Sequence, residues 1–130
     1  MICLDSSFLI DYLKGKKEAL EKLEDIKNKK AFTTSITEYE LMKGAYLGNY
    51  SNERVRKIVS LLNSLPIFFF DSNAALTASQ IYADLVEKGK EIDETDCMIA
   101  GVALSSQCKE IVTKNTKHFE RINGLTAIPY

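Results

Sequence analysis

Short apolar runs and longer amphipathic segments alternate along the chain. The apolar runs are typical of short strands, and they lie at residues 2–4 (ICL), 31–35 (AFTTS), 66–70 (PIFFF), 110–113 (EIVT) and 125–130 (LTAIPY). Between them, apolar residues recur at helical spacing in residues 6–15, 16–30, 36–48, 52–65, 72–89, 94–108 and 116–122. The segment 94–108 is apolar almost all round, which predicts an internal helix.

This alternation predicts a three-layer α/β/α sandwich with a mostly parallel sheet of four to five strands. The run PIFFF is expected to have both faces covered, with residues 68–70 in the core of the sheet. LTAIPY is expected at an edge, because its proline cannot donate a ladder hydrogen bond. Ser6 or Ser7 is the predicted cap of the first helix, and Ser72 or Asn73 caps the helix at 72–89.

Length and composition narrow the class of protein. With 130 residues, two prolines and no low-complexity tract that would act as a linker, residues 1–130 are expected to form a single domain. No apolar run approaches the roughly 20 residues that a membrane span requires. Asp5 and Asp11 interrupt the N-terminal apolar stretch, so we expect a cytoplasmic protein without membrane contact.

The net charge of −1 provides no overall attraction to nucleic acid. The three cysteines include no CxxC pair and are expected to be buried thiols. The single histidine, His118, has no partner at the spacing of a zinc site, which argues against zinc chemistry.

Three carboxylates occur in apolar surroundings. Asp5 follows the first strand, where the carboxyl ends of parallel strands form ligand-binding crevices. Glu40 shares its helix face with small and apolar residues, namely Ile36, Leu41, Gly44, Ala45 and Gly48. Asp96 lies in the first turn of the internal helix, where an isolated aspartate is usually only a helix-dipole or capping residue. The topology is expected to bring all three to one side of the sheet.

Converging carboxylates repel one another unless they are protonated or bind a cation. Oxygen ligands of this kind suit Mg²⁺ or Mn²⁺. Such an ion lowers the pKa of a bound water and offsets charge on a phosphodiester. The residues therefore indicate phosphoryl chemistry, and they leave the substrate open.

Four motifs in order carry a family resemblance: LDSSFLIDYL, TTSITEYELMKGA, TDCMIAGVAL and IVTKNTKHFERINGL. Together they resemble the PIN domain, in particular the small VapC-type toxins of type II toxin–antitoxin pairs, over essentially the whole chain. The resemblance implies a divalent-metal-dependent endoribonuclease that hydrolyses RNA with a metal-activated water, using Mg²⁺ or Mn²⁺. It also implies a cognate VapB-like antitoxin, whose peptide occupies the active-site groove, and a homodimer.

The resemblance assigns roles residue by residue. Asp5, Glu40 and Asp96 match the catalytic, metal-binding acids of the family. Thr113 and Asn115 match polar residues that help to hold metal-bound water or a further acid. The chain departs from the family pattern because VTKNTKHF supplies no fourth carboxylate, with His118 standing where an aspartate is often found. Either Asn115 or Asp93 could replace this fourth carboxylate. Whether the site binds one or two metal ions stays open.

Several other side chains have two interpretations. Ser6 either supports a metal-bound water or phosphate or only caps a helix. Lys114 and Lys117 are candidate RNA contacts. The tyrosines at 39, 46 and 50 stack bases, form a partner surface or do neither. His118 is expected at the groove edge or in packing, since no triad partner for a general base is suggested. Asp11 is expected to be an ordinary acid on a helix surface.

Two further classes of function compete with the nuclease. One is a receiver-like signalling domain, in which a strand-end aspartate accepts a phosphoryl group and Lys114 assists. Against it, Asp5 stands alone after the first strand, where an acidic pair is required. The other is a catalytically silent PIN-like module that binds RNA or a partner, which the missing fourth acid keeps open.

Overall fold

A five-stranded parallel sheet forms the middle of the molecule in the computed structural model, which describes residues 1–47, 49 and 51–130. The strands are β1 (Ile2–Leu4), β2 (Ala31–Thr34), β3 (Ile67–Phe68), β4 (Glu110–Val112) and β5 (Thr126–Ile128). Their order across the sheet is β3-β2-β1-β4-β5, and each neighbouring pair is parallel. The first strand of the chain is therefore the central strand of the sheet.

Helices cover both faces of this sheet. Over the described ranges they are α1 (Ser6–Leu13), α2 (Lys17–Asp25), α3 (Ser35–Tyr46), α4 (Asn52–Asn63), α5 (Ser72–Glu87), α6 (Glu94–Ser105) and α7 (Thr116–Phe119). Ile2 and Leu4 pack with residues of α1 to α4, whereas Cys3 packs with residues of α5 to α7. Because successive strand residues point to opposite faces, these two cores confirm the three-layer α/β/α fold.

Strand β3 is shorter and more exposed than the run PIFFF predicts. Ile67 and Phe68 are only partly buried, and β3 is an edge strand that pairs with β2 alone. Phe68 stacks on Phe32 with ring centroids 4.2 Å apart, but Phe69 is 72% exposed. The prediction that residues 68–70 belong to a sheet core covered on both faces is wrong, because the strand ends before Phe69 at the rim of the sheet.

Helix α1 begins directly after Asp5, which occupies the N-cap position without accepting a helix N–H through its side chain. Ser6 and Ser7 lie inside the first turn, so the prediction that one of them caps this helix is wrong. The Asp5 carboxylate is thereby left for contacts at the edge of the sheet.

Helices α5 and α6 form the other layer. Asp71 caps α5 by accepting the Ala74 N–H at 2.9 Å, so the predicted caps Ser72 and Asn73 are wrong by one or two residues. Gly101 brings α6 close to α5, because a Cβ atom there would lie 2.6 Å from the Ala74 carbonyl oxygen. Most of α6 is buried, which confirms that it is an internal helix.

The cysteines at positions 3, 97 and 108 are buried free thiols, as expected. Burial raises the pKa of Cys97 to about 11, with the charge of Asp96 adding to the effect. None of the helices within the described residues combines the length and the hydropathy needed to cross a membrane.

Candidate metal centre

Asp5 stands at the carboxyl end of the central strand and is only 1% exposed. Its N–H still donates to the Val112 carbonyl at 3.1 Å, so the backbone continues the pairing of β1 with β4 as far as this residue. The carboxylate therefore emerges where the ends of β1, β2 and β4 meet, which is the crevice expected in parallel sheets.

Two hydroxyl groups hold one oxygen of Asp5. Thr113 Oγ1 donates to Asp5 Oδ2 at 2.7 Å, and Ser7 Oγ donates to the same oxygen at 2.9 Å. The other oxygen, Oδ1, has a weaker contact with Ser6 Oγ at 3.5 Å. Oδ1 is therefore the less saturated of the two oxygens.

Ser6 connects Asp5 with Glu40. Its hydroxyl donates to Glu40 Oε1 at 3.2 Å, across a separation of 34 residues in the chain. Burial raises the pKa of the half-buried Glu40, the charge of Asp5 raises it further, and the hydrogen bond from Ser6 opposes the rise. The two acids are thus close enough to repel each other.

Asp96 lies in the first turn of α6 and is 6% exposed. Its Oδ2 is 2.8 Å from His118 Nδ1. Burial raises the pKa of Asp96, and the charge of Asp5 adds to this rise, whereas the hydrogen bond and charge of His118 oppose it. The sequence suggests no triad partner for His118, whereas in the structure α7 brings this residue to Asp96 in the first turn of α6.

Asp93 joins the same group from the N-cap position of α6. One ligand atom each of Asp93, Asp96 and His118 lies within 4.8 Å of the others. Asp93 is exposed, and exposed acids are common without any ion, so this proximity alone does not define a site. Asn115 is the other candidate for a fourth ligand. Asn115 is exposed and uses its backbone N–H to donate to Thr113 Oγ1 at 2.9 Å.

The donor set fits a hard divalent cation. Asp5, Glu40 and Asp96 offer carboxylate oxygens, and the last two have raised pKa values partly because Asp5 is charged. A cation would reverse this repulsion and favour the ionised carboxylates. Among common ions, Mg²⁺ and Mn²⁺ suit such oxygen ligands.

Asp11 is not the helix-surface acid that its position in α1 suggests. It is 5% exposed, and its carboxylate pairs with Lys114 Nζ at 2.8 Å and Lys16 Nζ at 3.1 Å. It also accepts a hydrogen bond from Tyr130 Oη at 2.9 Å. These contacts, that of Lys114 foremost, lower the pKa of Asp11 to about 2. Sequence reasoning missed this network, although Ser7 and Asp11 are four residues apart and so share a helix face.

An apolar groove of about 550 Å³ runs beside the acids, between α1, α3 and α4. Glu40 lines it together with apolar side chains that include Ile10, Leu41 and Ile58. Basic side chains also line it, namely Lys14, Arg54 and Lys57. Tyr39 and Tyr46 of α3 are exposed at 58% and 57%, whereas Gly48 of the predicted helix stripe and Tyr50 lie outside the described residues.

The parallel sheet and the acidic edge define the chain as an α/β domain with a site suited to divalent cations. The family model for the PIN domain matches residues 2–125. The chain therefore belongs to the PIN-domain family.

Known proteins resemble the chain over nearly its full length. The tRNA(fMet)-specific endonuclease VapC of Shigella flexneri is 31% identical over 122 residues, which cover 94% of this chain and 92% of that protein. Ribonuclease VapC1 of Methanocaldococcus jannaschii is 34% identical over 121 residues, covering 93% of this chain and 80% of the relative. The crystal structure of DNA-bound VapBC from Salmonella typhimurium contains a chain with a TM-score of 0.87 and 29% identity, covering 98% of this chain and 96% of that one.

Proposed function

We propose that the chain is an endoribonuclease of the VapC type, the toxin of a type II toxin–antitoxin pair, formed by one domain. The observation that carries the proposal is the approach of Asp5, Glu40 and Asp96 to one edge of the sheet, where burial and mutual charge raise the pKa of the last two. Relatives that match over 93–94% of this chain are a tRNA(fMet)-specific endonuclease and a ribonuclease. The family match gives no support to a receiver-like phosphoacceptor.

Asp5, Glu40 and Asp96 are the proposed ligands of Mg²⁺ or Mn²⁺ and the catalytic acids. When bound, such an ion supplies a water of lowered pKa and neutralises charge on the phosphodiester. Ser6 joins Asp5 and Glu40 through its hydroxyl, and Thr113 fixes Asp5 Oδ2. Because both hydroxyls donate to ligand carboxylates, their role is to orient the acids.

Lys114, Lys117 and Asn115 are the proposed substrate-positioning residues. Lys117 is exposed on α7, and Lys114 is 57% exposed although its ammonium pairs with Asp11. An ammonium has three hydrogens, so Lys114 retains donors for a phosphate. Asn115 is exposed at the N-cap position of α7, three residues after the end of β4.

A VapB-like antitoxin is the proposed partner, and the groove between α1, α3 and α4 is its proposed docking site. The groove has an apolar floor for an apolar segment, and Glu40 lines it, so the bound segment reaches the acids. A basic side chain on that segment would pair with the acids. It would then neutralise the negative charge that a bound cation neutralises when the segment is absent. On the family resemblance, the chain is also proposed to form a homodimer and to act in the cytoplasm. Light scattering of the purified chain tests the homodimer.

Cleavage of RNA with Mn²⁺ tests the nuclease. Wild type is expected to cleave, and Asp5→Asn and Asp96→Asn are expected to lose the activity by several orders of magnitude. Asp84→Asn is the matched control, because Asp84 forms an exposed ion pair with Lys88 on α5. If wild type and Asp5→Asn are equally silent while both bind RNA, the chain is a non-catalytic binding module instead.

A further inference from the structure

Two backbone N–H groups donate to the hydroxyls around Asp5 and hold their oxygens in place. The Lys114 N–H donates to Ser7 Oγ at 3.0 Å, and the Asn115 N–H donates to Thr113 Oγ1 at 2.9 Å. Each hydroxyl has a single hydrogen. Since each oxygen already accepts an N–H, its own hydrogen is available for Asp5 Oδ2, at 2.9 Å from Ser7 and 2.7 Å from Thr113.

Asp11 holds the loop that carries those N–H groups. Lys114 Nζ pairs with Asp11 Oδ2 at 2.8 Å, so the backbone and the side chain of one residue are both fixed. Tyr130 Oη contacts Asp11 Oδ2 at 2.9 Å and the Ser7 carbonyl at 3.1 Å. Its ring packs edge-on against the buried Phe8, with centroids 5.1 Å apart.

We propose that Asp11 and Tyr130 are positioning residues, which hold Ser7 and the loop after β4 so that Asp5 Oδ2 is saturated and Oδ1 would be the oxygen left for a cation. The inference rests on the proposed metal-dependent function and adds residues outside the acid set. Neither Asp11 nor Tyr130 touches Asp5 in this arrangement, so their effect passes through Ser7 and the Lys114 N–H.

Tyr130→Phe is the sharpest variant, because it removes one hydroxyl and no charge. Asp11→Asn removes the ion pairs but keeps the shape of the side chain. The matched controls are Tyr82→Phe and Asp84→Asn, both on α5 in the opposite layer. Thermal unfolding shows whether each variant is folded, and Tyr130→Phe decides the question if Asp11→Asn does not fold.

The first measurement is amide hydrogen exchange of uncomplexed protein by NMR. In both variants the Lys114 amide is expected to exchange at least about tenfold faster, whereas the Asp5 amide, bonded to the Val112 carbonyl, keeps its wild-type rate. A merely structural role would accelerate both amides together. Unchanged protection of Lys114 in Tyr130→Phe would overturn the inference.

The second measurement is Mn²⁺ affinity, from the EPR signal of the free ion. Loss of groups that orient metal ligands typically weakens binding roughly 10- to 100-fold, and this is expected for both variants. A purely electrostatic effect would appear in Asp11→Asn alone and shrink between about 0.1 M and about 1 M salt, as the screening length falls from about 10 Å to about 3 Å.

The two proposals fail in different ways. If wild type binds Mn²⁺ and cleaves RNA while Tyr130→Phe and Asp11→Asn bind Mn²⁺ within about twofold of wild type, the positioning role is wrong and the nuclease stands. If wild type binds no Mn²⁺ and cleaves nothing, the nuclease proposal fails, and the cation-facing role of Asp5 Oδ1 fails with it. The exchange measurement then still reports whether Asp11 and Tyr130 hold the loop.

Discussion

His118 Nδ1 lies 2.8 Å from Asp96 Oδ2, so the single histidine of the chain is paired with one of the three candidate metal ligands. Asp93 completes a group whose ligand atoms are within 4.8 Å of one another. Asp93 therefore supplies a second carboxylate beside Asp96, whereas the segment VTKNTKHF at the end of β4 supplies no acid.

Replacing Asp93 and Asn115 in turn separates the two candidates for the fourth ligand. Asp93→Asn is expected to weaken Mn²⁺ binding roughly tenfold, because the carboxylate lies within reach of an ion at Asp96. Asn115→Ala is expected to keep the Mn²⁺ affinity and to raise the KM for RNA. Calorimetric Mn²⁺ titration together with cleavage kinetics checks both, and a reversed pattern would assign the position to Asn115.

Glu40→Gln is expected to stabilise the metal-free protein while it damages the site. Because the pKa of Glu40 is raised in the folded state, its ionised form opposes folding at neutral pH. Neutralisation should add at most about 1 kcal/mol to the free energy of unfolding, because solvent screens the charge of a half-buried group. Thermal unfolding should also show a Mn²⁺-dependent rise in Tm for wild type that is much smaller for Glu40→Gln. A lower Tm for metal-free Glu40→Gln would contradict the repulsion.

Asp11 should make the stability of the protein depend on acid pH. Its pKa is about 2 in the folded protein, against about 3.9 for an unperturbed aspartate. A lowered folded pKa means that the stabilisation is fully present above about pH 4 and is lost as the pH falls towards about 2.

Urea unfolding at several pH values tests this dependence. The difference in free energy of unfolding between wild type and Asp11→Asn should be constant near neutral pH and should narrow below about pH 4. The exposed pair of Asp84 and Lys88 provides the control, since surface ion pairs contribute about 0–1 kcal/mol. If this difference instead widened as the pH falls, the pKa of Asp11 would not be lowered in the folded protein.

Two glycine substitutions should act in opposite directions on stability. In Gly101→Ala the new Cβ would meet the Ala74 carbonyl oxygen at 2.6 Å, and overpacking of this kind costs about 1–3 kcal/mol. Among the described residues, no atom lies within 4 Å of a Cβ built at Gly44, apart from the backbone of its own helix and its chain neighbours, so Gly44→Ala should stabilise helix α3 by about 0.5–1 kcal/mol. Chemical denaturation measures both, and equal effects would mean that the packing of α5 on α6 is less close than described.

Much of the fold was predictable because it depends on local pattern. The apolar runs give the positions of β1, β2 and β4, and helical spacing gives the segments between them. Asp5 could be placed at a strand end from its neighbours alone. The approach of Glu40 and Asp96 to it followed from the rule that carboxyl ends of parallel strands meet at one edge.

The features that could not be predicted depend on distant partners. The apolar run predicts that Phe69 is buried in the core. It is exposed because the short edge strand β3 ends one residue before it. Asp11 reads as a surface acid, because its partner Tyr130 is 119 residues away in the chain. Asp96 is 22 residues from His118 in the chain, and the bond between them exists only once α6 and α7 are packed.

The position of β1 in the middle of the sheet also bears on when the protein can become active during its synthesis. Asp5 is translated before Thr113, which donates to it and lies 108 residues later in the chain. Pairings between such distant segments form late, since the intervening loop must first be closed. A nascent chain that has not yet released β4 from the ribosome lacks the neighbour that fixes its first acid. The site can therefore be completed only after the residues of β4 have been synthesised and paired with β1.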